Sequence, residues 1–252
     1  MSFWKRLYYR PKREQLPPAD MSLVLTDMHS HLAAGIDDGA QTVEDAFTLI
    51  GQMYAMGYRN FITTPHIFMG VHNNTAAIIT EAAEKVKQAL SSSMPDVKYM
   101  AAAEYYLDEQ FEKLIEDNAL MTFGKKHVLF ELSFASEQAS LARAIFNMQL
   151  NGYKPVLAHP ERYEYWHGNF AKYESMADKD VLLQLNITSL SGHYGPGVKR
   201  ISERLIDAGL ISLLGSDCHH MGHVELMQVA RTCKPLHKLI ESGTLKNREL
   251  WN

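Results

Sequence analysis

Short apolar segments alternate with amphipathic segments along nearly the whole chain, and this alternation restricts the fold more than any other feature. Between the apolar segments, hydrophobic residues recur at helical spacing. Strands that alternate with helices form parallel βαβ units. The sequence therefore predicts an α/β protein with a parallel sheet. Seven buried strands are predicted, at 23–28, 61–64, 97–103, 128–132, 154–158, 181–187 and 210–215.

The predicted helices carry recognisable end signals. Thr42 and Asp45 have capping-box spacing before the first helix, and glycines at 152 and 209 end two later ones. Helices are predicted at 42–54, 75–90, 111–118, 137–150, 169–177 and 198–208, with terminal helices after 215. Seven such units in about 230 residues fit a closed or nearly closed barrel. An open doubly wound sheet is the alternative, and in both folds the site forms at the carboxyl ends of the strands.

Composition excludes several classes of protein. The formal net charge of -4 gives no basic field for nucleic acid. Cys218 and Cys233 are too few for a disulfide framework, so a reduced cytoplasmic setting is expected. No apolar run reaches the roughly 18 residues that a membrane span needs, and no signal peptide is predicted.

The chain divides into a tail at 1–22 and a domain at 23–252. The tail is basic and aromatic at its start, and Pro11, Pro17 and Pro18 break any helix in it. Two interpretations stay open. The tail is disordered or lies over the domain, or it is a weak anchor to an anionic membrane surface or an acidic partner.

Nine His, Asp and Glu residues lie at or just after the carboxyl ends of the predicted strands, which converge on one face of a barrel. Two pairs have i, i+2 spacing, which points both side chains of a strand to one face. The set is His29, His31, Asp38, His66, Glu104, Glu131, His159, Asp217 and His219.

This set exceeds what a single metal ion uses, so a cluster of two or three bridged divalent ions is predicted. Nitrogen and oxygen ligands without thiolate indicate Mn, Fe or Zn. Taken singly, Glu131 could bind a loop, His159 could be a core histidine and Asp217 could cap a helix. Nine such coincidences at strand ends are improbable together. The remaining histidines include five that we predict to be surface or structural residues: His72, His127, His167, His193 and His237.

The ordered segments around these residues resemble the polymerase and histidinol phosphatase (PHP) superfamily. Within it, the chain resembles the CpsB-type protein-tyrosine phosphatases, which regulate capsular and extracellular polysaccharide synthesis. The resemblance covers roughly residues 23–235. It is carried by segments 27–31, 36–39, 63–66, 103–106, 129–133, 158–163 and 215–219.

The resemblance implies a distorted (β/α)7 barrel, the PHP fold, with three divalent metals, often manganese or iron. The family's metal ligands fall on the same nine residues, and its substrate-phosphate arginine falls on Arg162. Two departures concern substrate binding. Ile67 and Phe68 stand where some members carry arginines, and segment 220–223 lacks another substrate arginine. His223 is the candidate for that second role.

The expected reaction is hydrolysis of phosphotyrosine by a metal-activated hydroxide, with Arg162 neutralising phosphate charge and His223 as a candidate general acid. The resemblance implies a phosphotyrosyl protein partner, such as a tyrosine kinase of polysaccharide export. A small phosphomonoester such as histidinol phosphate is the alternative substrate, and a non-catalytic metal protein is the alternative class. Neither cysteine is followed by a phosphate-cradling arginine, and Cys218 is predicted to pack away from His219.

Overall fold

The computed structural model of the protein describes residues 16–251. All strands paired within them are parallel. They are β1 (Thr26–Asp27), β2 (Asn60–Thr63), β3 (His66–Ile67), β4 (Lys98–Ala101), β5 (Glu104–Tyr106), β6 (His127–Glu131), β7 (Lys154–Ala158), β8 (Leu182–Asn186) and β9 (Ile211–Gly215). The α-helices are α1 (Val43–Ala55), α2 (Ala76–Ser93), α3 (Glu109–Glu116), α4 (Leu141–Leu150), α5 (Ala171–Ala177), α6 (Gly195–Asp207), α7 (Met221–Ala230) and α8 (Lys234–Glu241).

The strands occupy seven positions around the sheet. One sheet has the order β1-β2-β4, and the other has the order β3-β5-β6-β7-β8-β9. Because β2 and β3 are separated by Thr64 and Pro65 only, they form one interrupted strand position, as do β4 and β5 around residues 102–103. The two sheets are therefore successive parts of one strand array.

Hydrogen bonds beyond the ends of β1 and β9 join the first strand position to the last. Ser30 and Cys218 form a parallel bridge. The backbone N–H of Asp217 donates to the carbonyl of His29 at 2.7 Å, and the N–H of His31 donates to that of Cys218 at 3.0 Å. On the other side, the N–H of Thr64 donates to the carbonyl of Ser30 at 2.7 Å. The predicted distorted (β/α)7 arrangement is confirmed.

Alternating strand residues build two layers of core. One buried cluster takes apolar residues from six strand positions, among them Met28, Ile62, Ala102, Leu129, Val156 and Leu213. Their sequence neighbours, such as Phe61, Phe130 and Leu157, belong to the larger cluster shared with the helices. The smaller cluster therefore fills the barrel interior, and the residues that follow it along each strand form the floor of the site.

Several predicted boundaries differ from the structure for local reasons. The first predicted strand begins instead as a short 3-10 helix (Met21–Leu23), and the positive φ of 71° at Leu25 delays extended structure until Thr26. Helix α2 runs on to Ser93. Helix α4 begins at Leu141 rather than at 137, because residues 133–138 form a hydrogen-bonded loop.

The tail predicted at 1–22 is described only in part. Residues 1–15 lie outside the described residues, so the membrane-anchor interpretation stays a prediction. Ala19 and Met21 are buried in the core, and the N–H of Ala19 donates to the carbonyl of Arg231 at 2.9 Å. Within residues 16–251, no helix has the length and apolar character that crossing a membrane requires.

Candidate metal centre

The structure brings together all nine residues that the sequence predicted as metal ligands. They form four overlapping groups in which the candidate ligand atoms lie within 4.8 Å of one another. The groups are His31, Asp38, His66 and His219; His29, His31 and Glu104; His29, His159 and Asp217; and His66, Glu104 and Glu131. The convergence follows from the parallel strands, whose carboxyl ends meet at one end of the barrel.

Glu104, at the start of β5, is the centre of the cluster. Its Oε2 lies 3.2 Å from Nε2 of His29, 3.4 Å from Nε2 of His31 and 3.2 Å from Nδ1 of His66. Its Oε1 lies 3.1 Å from Nε2 of His159. Because the two oxygens face different imidazoles, this carboxylate would be available as a ligand to more than one bound ion.

Asp217, just after β9, faces the imidazoles with one of its two oxygens. Its Oδ1 lies 3.4 Å from Nε2 of His29 and 3.5 Å from Nε2 of His31. Its Oδ2 accepts hydrogen bonds from Asn186 at 2.6 Å and from Arg162 at 3.2 Å. Asp217 therefore connects the cluster to the arginine predicted to bind phosphate.

Asp38 and Glu131 lie at the edge of the cluster. The side chain of Asp38 is 60% exposed, and its Oδ1 lies 3.4 Å from Nε2 of His219 and 3.8 Å from Nε2 of His66. Glu131, at the end of β6, has Oε1 3.4 Å from Nδ1 of His66 and Oε2 3.7 Å from Nε2 of His159. Side-chain exposure in the cluster therefore increases from the buried residues near the barrel interior to Asp38 at the surface.

The unpaired atoms of the cluster fit metal ions better than a proton network. Oε2 of Glu104 and Nδ1 of His66 are buried and form no hydrogen bond, although they lie 3.2 Å apart. Two ligands held about 2.1 Å from one ion and roughly 100° apart are separated by about 3.2 Å. The separation therefore suits two ligands of one ion, and the two atoms form no hydrogen bond.

The charges of the buried carboxylates lead to the same conclusion. Burial would raise the pKa of Glu104, but the imidazoles of His29 and His66 hold this pKa well below its ordinary value. Burial, followed by the negative charges of Glu104 and Asp217, raises the pKa of Glu131 well above its ordinary value. The side chains alone supply too little positive charge for all the carboxylates, and divalent cations would supply the remainder.

Two residues that the sequence did not single out orient the first imidazoles. Nδ1 of His31 lies 2.8 Å from Oδ2 of Asp37, and Nδ1 of His29 lies 2.8 Å from Oε1 of Gln184. A partner on Nδ1 directs Nε2 toward a metal and fixes the tautomer. The available signals were the second aspartate beside Asp38 and the polar side chain within the leucine-rich strand β8.

Two predicted ligands have an unusual backbone. His159 has φ of 31° and Asp217 has φ of 50°, a left-handed conformation that residues with side chains rarely adopt. His159 directly follows β7 and Asp217 is the second residue after β9. Both side chains point into the cluster. Such outliers are found most often at functional sites.

A cavity of about 430 Å³ opens over the cluster. Arg162 lies in its wall, with the guanidinium carbon 4.5 Å from the ring centre of Phe134 and 4.4 Å from that of Tyr194. The predicted phosphate-binding arginine therefore lies beside the predicted metal ligands.

Histidines also line this cavity. The N–H of His219 donates to Nδ1 of His223 at 3.2 Å, and burial lowers the pKa of His223 to about 4. The neutral ring therefore carries its proton on Nε2. His72, predicted as a surface or structural residue, instead lines the cavity and stacks on His66 at 5.2 Å between ring centres. Cys218 packs in the core, where burial raises the pKa of its thiol.

Comparison with known proteins identifies the family. The family model described as capsular polysaccharide synthesis, CpsB/CapC, matches residues 25–240. The chain belongs to the CpsB/CapC family. Among its relatives, the tyrosine-protein phosphatase YwqE of Bacillus subtilis (strain 168) is 29% identical over 198 residues, which cover 78% of each chain. The tyrosine-protein phosphatase CpsB of Streptococcus pneumoniae is 24% identical over 203 residues, 78% of this chain and 84% of that protein.

A solved structure agrees with this assignment. It comes from work on YwqE from Bacillus subtilis and CpsB from Streptococcus pneumoniae, described as metal-dependent tyrosine phosphatases. The match has a TM-score of 0.76 at 27% identity and covers 88% of this chain and 89% of that chain. Similarity to this CpsB/CapC structure extends over nearly the whole barrel. The relatives' metal dependence and the ligand groups in this chain both indicate use of divalent metals.

Proposed function

We propose that this protein is a metal-dependent phosphatase that hydrolyses phosphotyrosine in proteins and thereby regulates polysaccharide synthesis. The observation that carries the proposal is the juxtaposition of the nine-residue cluster with Arg162 at one cavity. A metal cluster alone fits many hydrolases. A metal cluster whose aspartate is hydrogen-bonded to an arginine in the wall fits a dianionic phosphate ester.

We propose two or three divalent ions, with manganese favoured and iron or zinc as alternatives. His31, Asp38, His66 and His219 would hold one ion at the mouth of the cavity. His29, His159 and Asp217 would hold a second ion, and the carboxylates of Glu104 and Glu131 would ligate these ions or a third one. The support is the overlap of the four ligand groups and the mixture of nitrogen and oxygen donors, which suits these metals.

Bound divalent ions lower the pKa of water toward neutrality, which supplies the nucleophile, and they neutralise phosphate charge. The chain's own groups do the rest. The guanidinium of Arg162 binds phosphate oxygens and neutralises the charge that spreads over them in the transition state. Its bond to Asp217 Oδ2 aims it at the metal cluster.

His223 would act at the leaving group. Because its Nδ1 accepts the N–H of His219, Nε2 carries the proton in the neutral ring. We propose that this N–H donates a hydrogen bond to the departing oxygen. A phenol, with a pKa of about 10, needs less protonation than an aliphatic alcohol, so a hydrogen-bond donor is sufficient for a tyrosyl leaving group.

The proposed partner is a phosphotyrosyl protein, such as a tyrosine kinase of the polysaccharide export system, met in the cytoplasm. We also propose that the basic start of the tail predicted at 1–22, with its lysines and arginines, contacts an anionic membrane surface. Curated relatives named as tyrosine-protein phosphatases support the substrate class.

The proposal is tested by turnover of three substrates with metal-stripped protein and after addition of Mn²⁺. The substrates are a phosphotyrosyl peptide, the same peptide with phosphoserine, and histidinol phosphate. We expect metal-dependent turnover with the phosphotyrosyl peptide strongly preferred. Preference for histidinol phosphate would move the protein to the small-substrate alternative. Absence of metal-dependent turnover on all three would refute the enzyme assignment.

A further inference from the structure

Phe134 is a large apolar side chain left exposed at the mouth of the cavity. Its side chain lines the cavity, yet the residue is 47% exposed. Exposing so much aromatic surface forgoes the stabilisation that burial would give. The exposed face of this ring is therefore available to contact a ligand bound in the cavity.

The loop that carries Phe134 is held firmly on both sides. Before it, the hydroxyl of Tyr165 donates to the carbonyl of Ser133 at 2.9 Å. After it, Oε2 of Glu137 accepts from the indole N–H of Trp166 at 2.6 Å, and Oε1 accepts from Lys172 at 2.8 Å. The ring is thus presented to the cavity by a fixed backbone, and little ordering is required when a ligand binds.

Phe134 also contacts the groups that would bind phosphate. Its ring centre lies 4.5 Å from the guanidinium carbon of Arg162. It lies 5.6 Å from the ring centre of His159, with the planes 28° apart. A phosphate held by the metals and by Arg162 would therefore place its ester group close to this ring.

From this geometry we propose that Phe134 is a specificity-determining residue, an aromatic wall that packs against the phenyl ring of the substrate. The inference rests on the proposed phosphatase function and deepens it, because it explains why an aryl phosphate would be preferred to an alkyl phosphate. Aromatic pairs gain from offset or edge-to-face packing in addition to the area that they bury. An alkyl phosphate would leave this ring exposed.

Two further apolar side chains belong to the cavity lining. They are those of Phe68 and Val71, and Phe68 stacks on Tyr106 with 3.9 Å between ring centres. Val71 is 59% exposed. An uncharged ring bound in this cavity would cover apolar surface of these side chains and of Phe134.

The test compares phenylphosphonate with methylphosphonate, which share the anionic group and differ by the ring. Their dissociation constants are measured by calorimetry on the metal-loaded protein, so that no turnover is needed. The variants are Phe134→Ala, Phe134→Tyr and, as a matched control, Phe146→Ala, which removes a 64% exposed phenylalanine from α4. The quantity of interest is the ratio of the two dissociation constants.

We expect the wild type to bind phenylphosphonate more tightly and Phe134→Ala to reduce this preference about 10-fold, the scale of a lost aromatic contact. Phe134→Tyr and Phe146→Ala should keep the wild-type preference within about twofold. Equal weakening of both ligands in Phe134→Ala would mean that the ring acts only through Arg162, and would overturn the proposal. A wild type without phenyl preference would also overturn it. Failure of the phosphatase function would appear separately, as missing turnover with intact ligand binding.

Discussion

Replacing Asp37 with asparagine removes one negative charge from behind His31 and keeps the size of the side chain. Oδ2 of Asp37 lies 2.8 Å from Nδ1 of His31 and accepts the backbone N–H of His66 at 3.2 Å, and Oδ1 accepts that of Gly39 at 3.0 Å. The carboxylate therefore faces donors on both oxygens. An asparagine must direct its NH₂ group at one set of these donors.

With that NH₂ group against His31, the imidazole would have to accept at Nδ1 and carry its proton on Nε2. Nε2 is the atom that faces Glu104 and Asp217, so the wrong tautomer blocks a proposed metal ligand. With the NH₂ group against the N–H of Gly39 instead, the neutral amide oxygen left at His31 accepts more weakly than a carboxylate and orients the ring less firmly. Loss of such a supporting contact typically costs 10- to 100-fold in metal affinity. This corresponds to about 1.4–2.8 kcal/mol.

The pH range of the experiment follows from the state of Asp37. Burial would raise its pKa, but the imidazole of His31 lowers the pKa to about 2. The carboxylate is thus ionised throughout the neutral range, and its contribution is lost only as pH falls from about 4 through about 2. Affinity for Mn²⁺ should be measured at pH 7 by competition with a chromophoric chelator, and metal content by mass spectrometry.

Asp207→Asn is the matched control, because Asp207 is 66% exposed and pairs with Lys238 at the surface. Removing that exposed charge should leave metal affinity unchanged. If Asp37→Asn bound Mn²⁺ as tightly as Asp207→Asn and the wild type, the orientation of His31 through Asp37 would have no role in metal binding.

Three further predictions test the site and the barrel. His29→Ala should lower bound metal and turnover together, since it removes a ligand shared by two groups; full metal content in this variant would contradict its role. Arg162→Ala should retain metal and lower kcat/KM about 100-fold, as expected for a lost charge-assisted contact to the transition state; loss of metal would refute the phosphate role. Asp27, the buried last residue of β1, accepts from the N–H of Ser216 at 2.8 Å, and burial raises its pKa to about 6. Its stabilising contribution is therefore lost as pH rises from about 4 through about 6. The difference in free energy of unfolding between metal-free Asp27→Asn and the metal-free wild type should therefore change over that interval. It should shift by about 3 kcal/mol in favour of the variant, because the asparagine does not ionise. Urea unfolding at both ends of the interval measures this, and an unchanged difference between the two proteins would contradict it.

The sequence by itself determined the order of the strands and helices and the positions of the proposed ligands. Both rest on local physics. Apolar periodicity separates buried strands from amphipathic helices, and Thr42 caps α1 through Asp45 as the capping-box spacing requires. Once parallel strands closed into a barrel are assumed, their carboxyl ends must meet at one end of it. His29 and His219 are therefore expected to be neighbours although 190 residues separate them along the chain.

The tertiary structure alone decided which groups support that cluster. Gln184 reaches His29 across 155 positions of sequence, and Phe134 meets Arg162 because the β6–α4 loop folds over the cavity. His72 enters the wall because its backbone pairs with Phe68 in a tight turn. No periodic pattern in the sequence indicates these contacts, because each depends on how a loop or a side chain fills the space between elements that are distant in sequence. The ligand candidates at the strand ends can be predicted from the spacing of residues in the sequence. The orientation of their side chains and the specificity for a substrate depend on tertiary packing.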